Sequence, residues 1–230
     1  MQKARSLRMA PNPSYIETLL SYAEPALTDS IPSLPDGLWD GSVVLLAELL
    51  ALLKKRNGCF VFAKALHLFP TQSLSTDLAG YDIVAWNRRE LWKDVFPDEV
   101  QNLLCFAEDA FGCQWALRAD HICKFDPETG EITHFADNLE SWAELILKEA
   151  RAETGWPLSQ QWIQEHGELP ANCRLNPKML FVLGGSFTVD NLFAVDAADG
   201  MGFRGEIARQ IRNLPDGTRI RIVVGEPADG

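Results

Sequence analysis

Apolar residues along this chain change spacing several times, and each change marks an element. Over Val43 to Leu53 they recur at helical spacing: Val43, Leu46, Leu50 and Leu53 share one face, and Leu45, Leu49 and Leu52 widen it. Ser42 is placed to cap the start, Lys54, Lys55 and Arg56 suit the negative end of the helix dipole, and Asn57-Gly58 supplies a left-handed stop. The pattern predicts a helix over 43–56, buried on most sides. A shorter helix is expected over Tyr15 to Tyr22, followed by a loop punctuated by Pro25, Pro32, Pro35 and Gly37. Residues 1–14 lack periodicity and hold Pro11 and Pro13, so a loose arm is expected there.

Beyond Gly58 the period shortens. Cys59 to Ala63 reads as a strand, Leu66 to Pro70 is a second apolar run, and Asn87 to Val95 reads as a helix stopped by Pro97. Leu103 to Ala107, Cys113 to Arg118, His121 to Phe125 and Glu131 to Ala136 are four strand candidates. Their links are short: Glu108 to Gly112, Ala119-Asp120, and Asp126-Pro127-Glu128-Thr129-Gly130. Short links force antiparallel neighbours, which predicts a meander. Asn138 then opens a helix over Leu139 to Ala152, with Trp142, Leu145 and Ile146 on its buried stripe.

After Gly155-Trp156-Pro157 the pattern changes again. A helix is expected over Leu158 to Glu165, strands over Met179 to Leu183 and Leu192 to Val195, and a helix over Arg204 to Asn213. Leu214-Pro215-Asp216-Gly217 turns the chain toward a last strand, Thr218 to Val224. The division that results is an arm over 1–14, an α+β core over 15–155, and a C-terminal extension over 156–230 packed on the core.

Composition narrows the function classes. Hydrophobic residues make up 47% and charged residues 23%, which is ordinary for a globular fold. Acidic residues number 32 against 21 Lys plus Arg, a formal charge of −11, so a phosphate backbone is not an expected partner. Arg204, Arg209, Arg212, Arg219 and Arg221 form one basic stretch, but their spacing reads as a solvated face. An acidic surface suits a basic protein partner instead. Lys3, Arg5 and Arg8 are not followed by an apolar leader segment, and the run Val43 to Leu53 is too short for a bilayer and contains Glu48. Five cysteines without a CxxC pair read as reduced thiols in a cytoplasmic protein.

The candidate chemistry is thin. Gly184-Gly185-Ser186 lacks the spacing of a phosphate loop, and neither GxSxG nor HExxH occurs. His67, between Leu66 and Leu68, reads as a hydrogen-bonded histidine at the core edge rather than a base. Cys113, His121, Cys123 and His134 could share a sheet face, yet they lack the paired loop spacing of structural zinc sites, so no metal or other cofactor is expected. Glu108, Asp109 and Glu128 read as acids at hairpin turns, either plain surface groups or a binding edge. Trp39 stands beside Asp40 on a Gly-flanked loop, where a ring can anchor a partner while carboxylates steer it. Trp39, Asp40, Glu108 and Asp109 are therefore the candidate partner-binding residues.

Several ordered segments resemble the SUKH superfamily, the Smi/Knr-like proteins. They are Asn57-Gly58-Cys59-Phe60-Val61-Phe62 with Ala65 to Pro70, Phe106 to Gln114, and Phe125 to Glu131 leading into Leu139-Glu140-Ser141-Trp142. The resemblance covers residues 35–150. Arg174-Leu175-Asn176-Pro177-Lys178, Gly184-Gly185 and Leu214 to Gly217 also look like longer bacterial members. It implies an α+β fold with a curved, mainly antiparallel sheet flanked by helices, and it carries no shared active site. It also implies a non-enzymatic immunity protein that neutralises a cognate toxin by direct contact. A general intracellular interaction module is the alternative, and an enzyme or metalloprotein is less favoured.

Overall fold

The computed structural model describes residues 13–73, 75–215 and 217–218. The expected arm over 1–14 and the last strand over 218–224 fall almost entirely outside them. The chain opens with helix α1 (Tyr15–Ser21) and helix α2 (Val43–Lys55), each started by a serine whose hydroxyl accepts a backbone N–H. Strands β1 (Cys59–Val61) and β2 (Leu66–Leu68) follow as a hairpin. Four one-turn helices come next: α3 (Thr76–Ala79), α4 (Ile83–Trp86), α5 (Arg89–Trp92) and α6 (Asp98–Gln101). Then come β3 (Leu104–Asp109), β4 (Gln114–Arg118), β5 (His121–Asp126) and β6 (Glu131–Ala136). All six strands pair antiparallel in chain order, β1 to β6, so the expected meander is present and is longer by the first hairpin.

Helix α7 (Leu139–Lys148) packs on β6 and on both α1 and α2. The same interior holds Leu45, Leu49, Leu52 and Leu53 of α2, the sheet residues Phe106, Trp115 and Phe125, and Trp142 and Ile146 of α7. Val43 departs from the predicted buried face of α2: it is 78% exposed, because the packing stripe runs through Leu45, Leu49, Leu52 and Leu53.

The predicted helix over 87–95 is broken. Asn87 leaves the helix to act as a backbone surrogate at the sheet: its Oδ1 accepts from Cys105 N at 2.8 Å and its Nδ2 donates to Cys105 O at 2.8 Å. Lys93, itself buried, donates to Asn87 Oδ1 and to Leu103 O at 2.9 and 2.6 Å. These side-chain bonds replace helical ones and turn Trp86 and Trp92 into the core.

The C-terminal part contains α8 (Ala150–Thr154), α9 (Trp156–His166), the antiparallel pair β7 (Cys173–Pro177) and β8 (Leu192–Asp196), and α10 (Ala197–Ile211). The expected strand over 179–183 is instead a loop with a 3-10 turn at Phe181–Leu183, since β8 pairs with Cys173–Pro177. Helix α10 starts seven residues before its expected first residue. Asp196 caps it, accepting from Ala198 N at 2.9 Å, and the early turns contain glycines that masked the helix in the sequence. Gly205 is needed for contact: a β-carbon there would lie 2.3 Å from Val95. A small cluster of Trp162, Leu169, Leu175, Val189 and Leu192 fills this part, while Ala197, Ala198, Met201 and Ala208 of α10 return to the main core.

Candidate interaction face and the buried charge network

Pairing with β2 decides where the two candidate acids lie. Strand β3 runs on through Glu108 and Asp109 because His67 and Leu66 of β2 lie opposite them. They stand inside the sheet rather than in a turn, with 2% and 4% of their surface exposed. This corrects the expectation of surface acids, and neither side chain can touch a partner of the folded chain.

Glu108 is the centre of a closed network. Its Oε1 lies 3.1 Å from His67 Nδ1 and 2.6 Å from Arg174 Nη2 of β7, and its Oε2 accepts from Gln114 Nε2 at 3.3 Å. The Arg174 contact is a charge contact rather than an aligned hydrogen bond. Gln114 in turn accepts from Trp86 Nε1 at 2.8 Å. The Phe60 ring stacks on His67 at 4.4 Å and faces Arg174 at 5.5 Å.

Burial alone pushes the Glu108 carboxyl up, but Arg174, His67 and Gln114 outweigh it, and the net shift is down. Burial drives His67 down to about 4, against its bond to Glu108 and with repulsion from Arg174. His67 is thus neutral near pH 7, its Nδ1–H donates to an ionised Glu108, and its Nε2 has no partner among the described residues. The histidine expected at the core edge is therefore fully inside.

Asp109 serves a second network. Its Oδ1 accepts from Phe111 N and Cys113 N at 2.9 and 2.8 Å, closing the turn between β3 and β4. Burial raises its carboxyl to about 6 in spite of Lys124 and these two N–H groups. Arg204 of α10 reaches the same turn, donating to Phe111 O, and is 1% exposed. Glu128, 6% exposed, accepts from Val182 N at 2.9 Å. Both networks tie the sheet to the C-terminal part, with Glu108, Asp109, His67, Gln114, Arg174 and Arg204 all buried. They hold chain segments together.

The arginine stretch divides accordingly. Arg204 is buried, which corrects its place on a solvated face, while Arg209 pairs with Glu206 at 2.8 Å and Arg212 is exposed. Arg209 and Arg212 line a groove of about 250 Å³ with Phe96, Pro97 and Gly130. No three potential metal-ligating side chains gather among the described residues. His121 and His134 stack at 5.1 Å, each bonded to a neighbouring aspartate, while Cys123 Sγ faces Ala116 O at 3.5 Å. Burial pushes the Cys113 thiol well up and the Cys123 thiol to about 12.

Trp39 and Asp40 remain at the surface. The Trp39 ring lies half-buried over Gly41, where a β-carbon would stand 2.1 Å from the ring, and Asp40 is exposed. Ser42 N donates to Ala119 O at 2.8 Å and brings this loop against the turn that carries the exposed Asp120. Val43 and Val44, 78% and 67% exposed, follow on the first turn of α2. Trp39, Asp40, the two valines and Asp120 thus lie on neighbouring segments, whereas Glu108 and Asp109 are buried in the sheet. Sequence reasoning missed Val43 because its spacing fits the buried stripe, and Val44 because the helix was expected to be buried on most sides. It missed Arg174 because nothing local names a partner 66 positions away.

No protein-family model matches this chain, and no curated protein matches it either. Among solved structures, Atu4351 from Agrobacterium tumefaciens is similar at 14% identity, covering 76% of this chain and 85% of that one with a TM-score of 0.46. No helix among the described residues is long and apolar enough to cross a membrane.

Proposed function

We propose that this chain is a non-enzymatic binding protein, specifically an immunity protein that neutralises a cognate toxin by contact in the cytoplasm. The SUKH-like segments supply the toxin part of that reading. The binding part rests on one observation: Val43 and Val44 stand 78% and 67% exposed beside a half-buried Trp39, with Asp40 and Asp120 at the rim. An apolar centre with a charged rim has the composition of a protein interface. The formal charge of −11 favours a basic partner and disfavours nucleic acid.

Binding kinetics against the product of the adjacent gene test this. Association is expected to quicken at low salt and to slow in Asp40→Lys, whereas Trp39→Ala speeds dissociation roughly tenfold. Co-expression should also relieve toxicity of that product. Binding without relief would leave a general interaction module, and no binding at all would remove the immunity reading.

A further inference from the structure

The last turns of α10 form one side of the groove of about 250 Å³. Gly205, Ala208, Arg209 and Arg212 recur at i, i+3, i+4 and i+7, which places them on a single helix face. Phe96, Pro97 and Gly130 line the groove from the main sheet and the segment before β3. A second hollow of about 190 Å³ adjoins it, sharing Pro97, Gly130 and Arg212 and adding Val100, Arg118 and Ile132. The walls are largely apolar, and Phe96, Val100 and Ala208 are themselves buried.

The charged groups at these hollows are only partly matched. Asp94 is bonded to Arg89, and Arg209 is bonded to Glu206 at 2.8 Å. Glu99 is the remaining carboxylate among the lining side chains, and it forms no ion pair with Arg118 or Arg212. Most described Lys and Arg side chains hold a carboxylate or a carbonyl of the chain. Among the described residues Lys54, Arg88, Arg118, Arg151 and Arg212 do not, and two of these, Arg118 and Arg212, line the same hollow. Two unspent guanidiniums against one unspent carboxylate leave N–H donors and positive charge in surplus there, in a chain of formal charge −11. Basic residues near a helix C-terminus offset the helix dipole, which accounts for Arg209 and Arg212. It does not account for Arg118, which reaches the same hollow from the end of β4.

We infer that the two hollows form one binding site for a small organic acid, an apolar body carrying a single anionic group. The body lies along Phe96, Pro97 and Ala208. The anionic group sits between Arg118 and Arg212, whose planar forks match the oxygens of a carboxylate or sulfonate. Apolar walls with a few polar groups that fix orientation are the usual composition of a small-molecule site. This site does not depend on the Trp39 face or on the nature of its partner.

Fluorescence titration of anilinonaphthalene sulfonate into the full chain tests the site, because that probe joins an apolar body to one anion. N-phenylnaphthylamine, the same body without the sulfonate, is the control. The sulfonate probe is expected to bind with a stoichiometry of one, and Arg118→Gln and Arg212→Gln should each weaken it about tenfold. Arg151→Gln removes an arginine of α8 that lines neither hollow, so it should bind as the parent does. The uncharged probe should bind the parent several-fold more weakly and respond to none of the substitutions. Thermal melts identify variants that remain folded, and Arg212→Gln serves if Arg118→Gln does not fold, since Arg212 is exposed. No saturable binding of the sulfonate probe, equal affinity for the two probes, or equal affinity across the folded variants would overturn the inference.

Discussion

The interior of the main sheet and the seam that joins it to the C-terminal part are equally dry, yet they cohere for different reasons. In the sheet interior Phe106, Trp115 and Trp142 meet edge to face, with centroids 5.3 and 6.2 Å apart. No partner there is unique, and what counts is volume and area removed from water. At the seam Glu108 needs Arg174 and His67, and Asp109 closes a turn that Arg204 grips. Each buried charge is tolerable only with its partner. The interior is therefore tolerant of repacking and sensitive to lost volume, whereas the seam is sensitive to lost pairing.

The largest expected effect is in the interior. Trp142 is fully buried, so Trp142→Ala should cost about 3–5 kcal/mol, read as a fall in the urea midpoint. A comparable loss should follow Arg174→Met, about 3–5 kcal/mol, because Glu108 is left buried and unpaired. The two differ in how they can be repaired. Adding Glu108→Gln to Arg174→Met removes the stranded charge and should restore a large part of the loss, while the same addition to Trp142→Ala restores nothing. Equal behaviour of the two double variants would erase the distinction between the regions.

A smaller effect is expected from pH. His67 is held at about 4 in the fold against an ordinary value of 6.5, so the unfolded chain binds its proton first. Its contribution is complete above about pH 6.5 and is lost as pH falls toward 4, by up to about 3 kcal/mol. Glu108, shifted down, acts in the same sense, its stabilisation being lost as pH falls through its lowered value. Asp109 acts oppositely: raised to about 6, it costs stability as pH rises from the ordinary carboxylate range to that value. Urea midpoints between pH 4.5 and 7 should therefore fall less on acidification in His67→Gln than in the parent, and more in Asp109→Asn. An unchanged slope in His67→Gln would show that this histidine does not govern the seam's acid sensitivity.

Much of the fold was legible because its signals are local. Ser42 with the leucines behind it, the turn at Asp126 to Gly130, and the capping Asn138 each act within a few residues. Those signals determine the helices α2 and α7, the strands between them and the antiparallel order, and that much the chain settles by itself. Tertiary structure decided the rest. Asn87 broke an otherwise good helix because a strand edge needed its amide, and α10 formed through glycines because Val95 and Asn176 required close approach. Glu108, read as a surface acid, became interior only once β2 lay beside β3 and Arg174 arrived from the far end of the chain. The approach of Phe62 to Tyr22 and Trp156, at 5.6 and 6.1 Å, was likewise unreadable, since they lie 40 and 94 positions away in the sequence. Propensity, capping and turn chemistry act over a few residues, and a sequence displays them directly. Burial of a charge and exposure of a ring depend on which distant segments share a surface, and only the folded chain sets that.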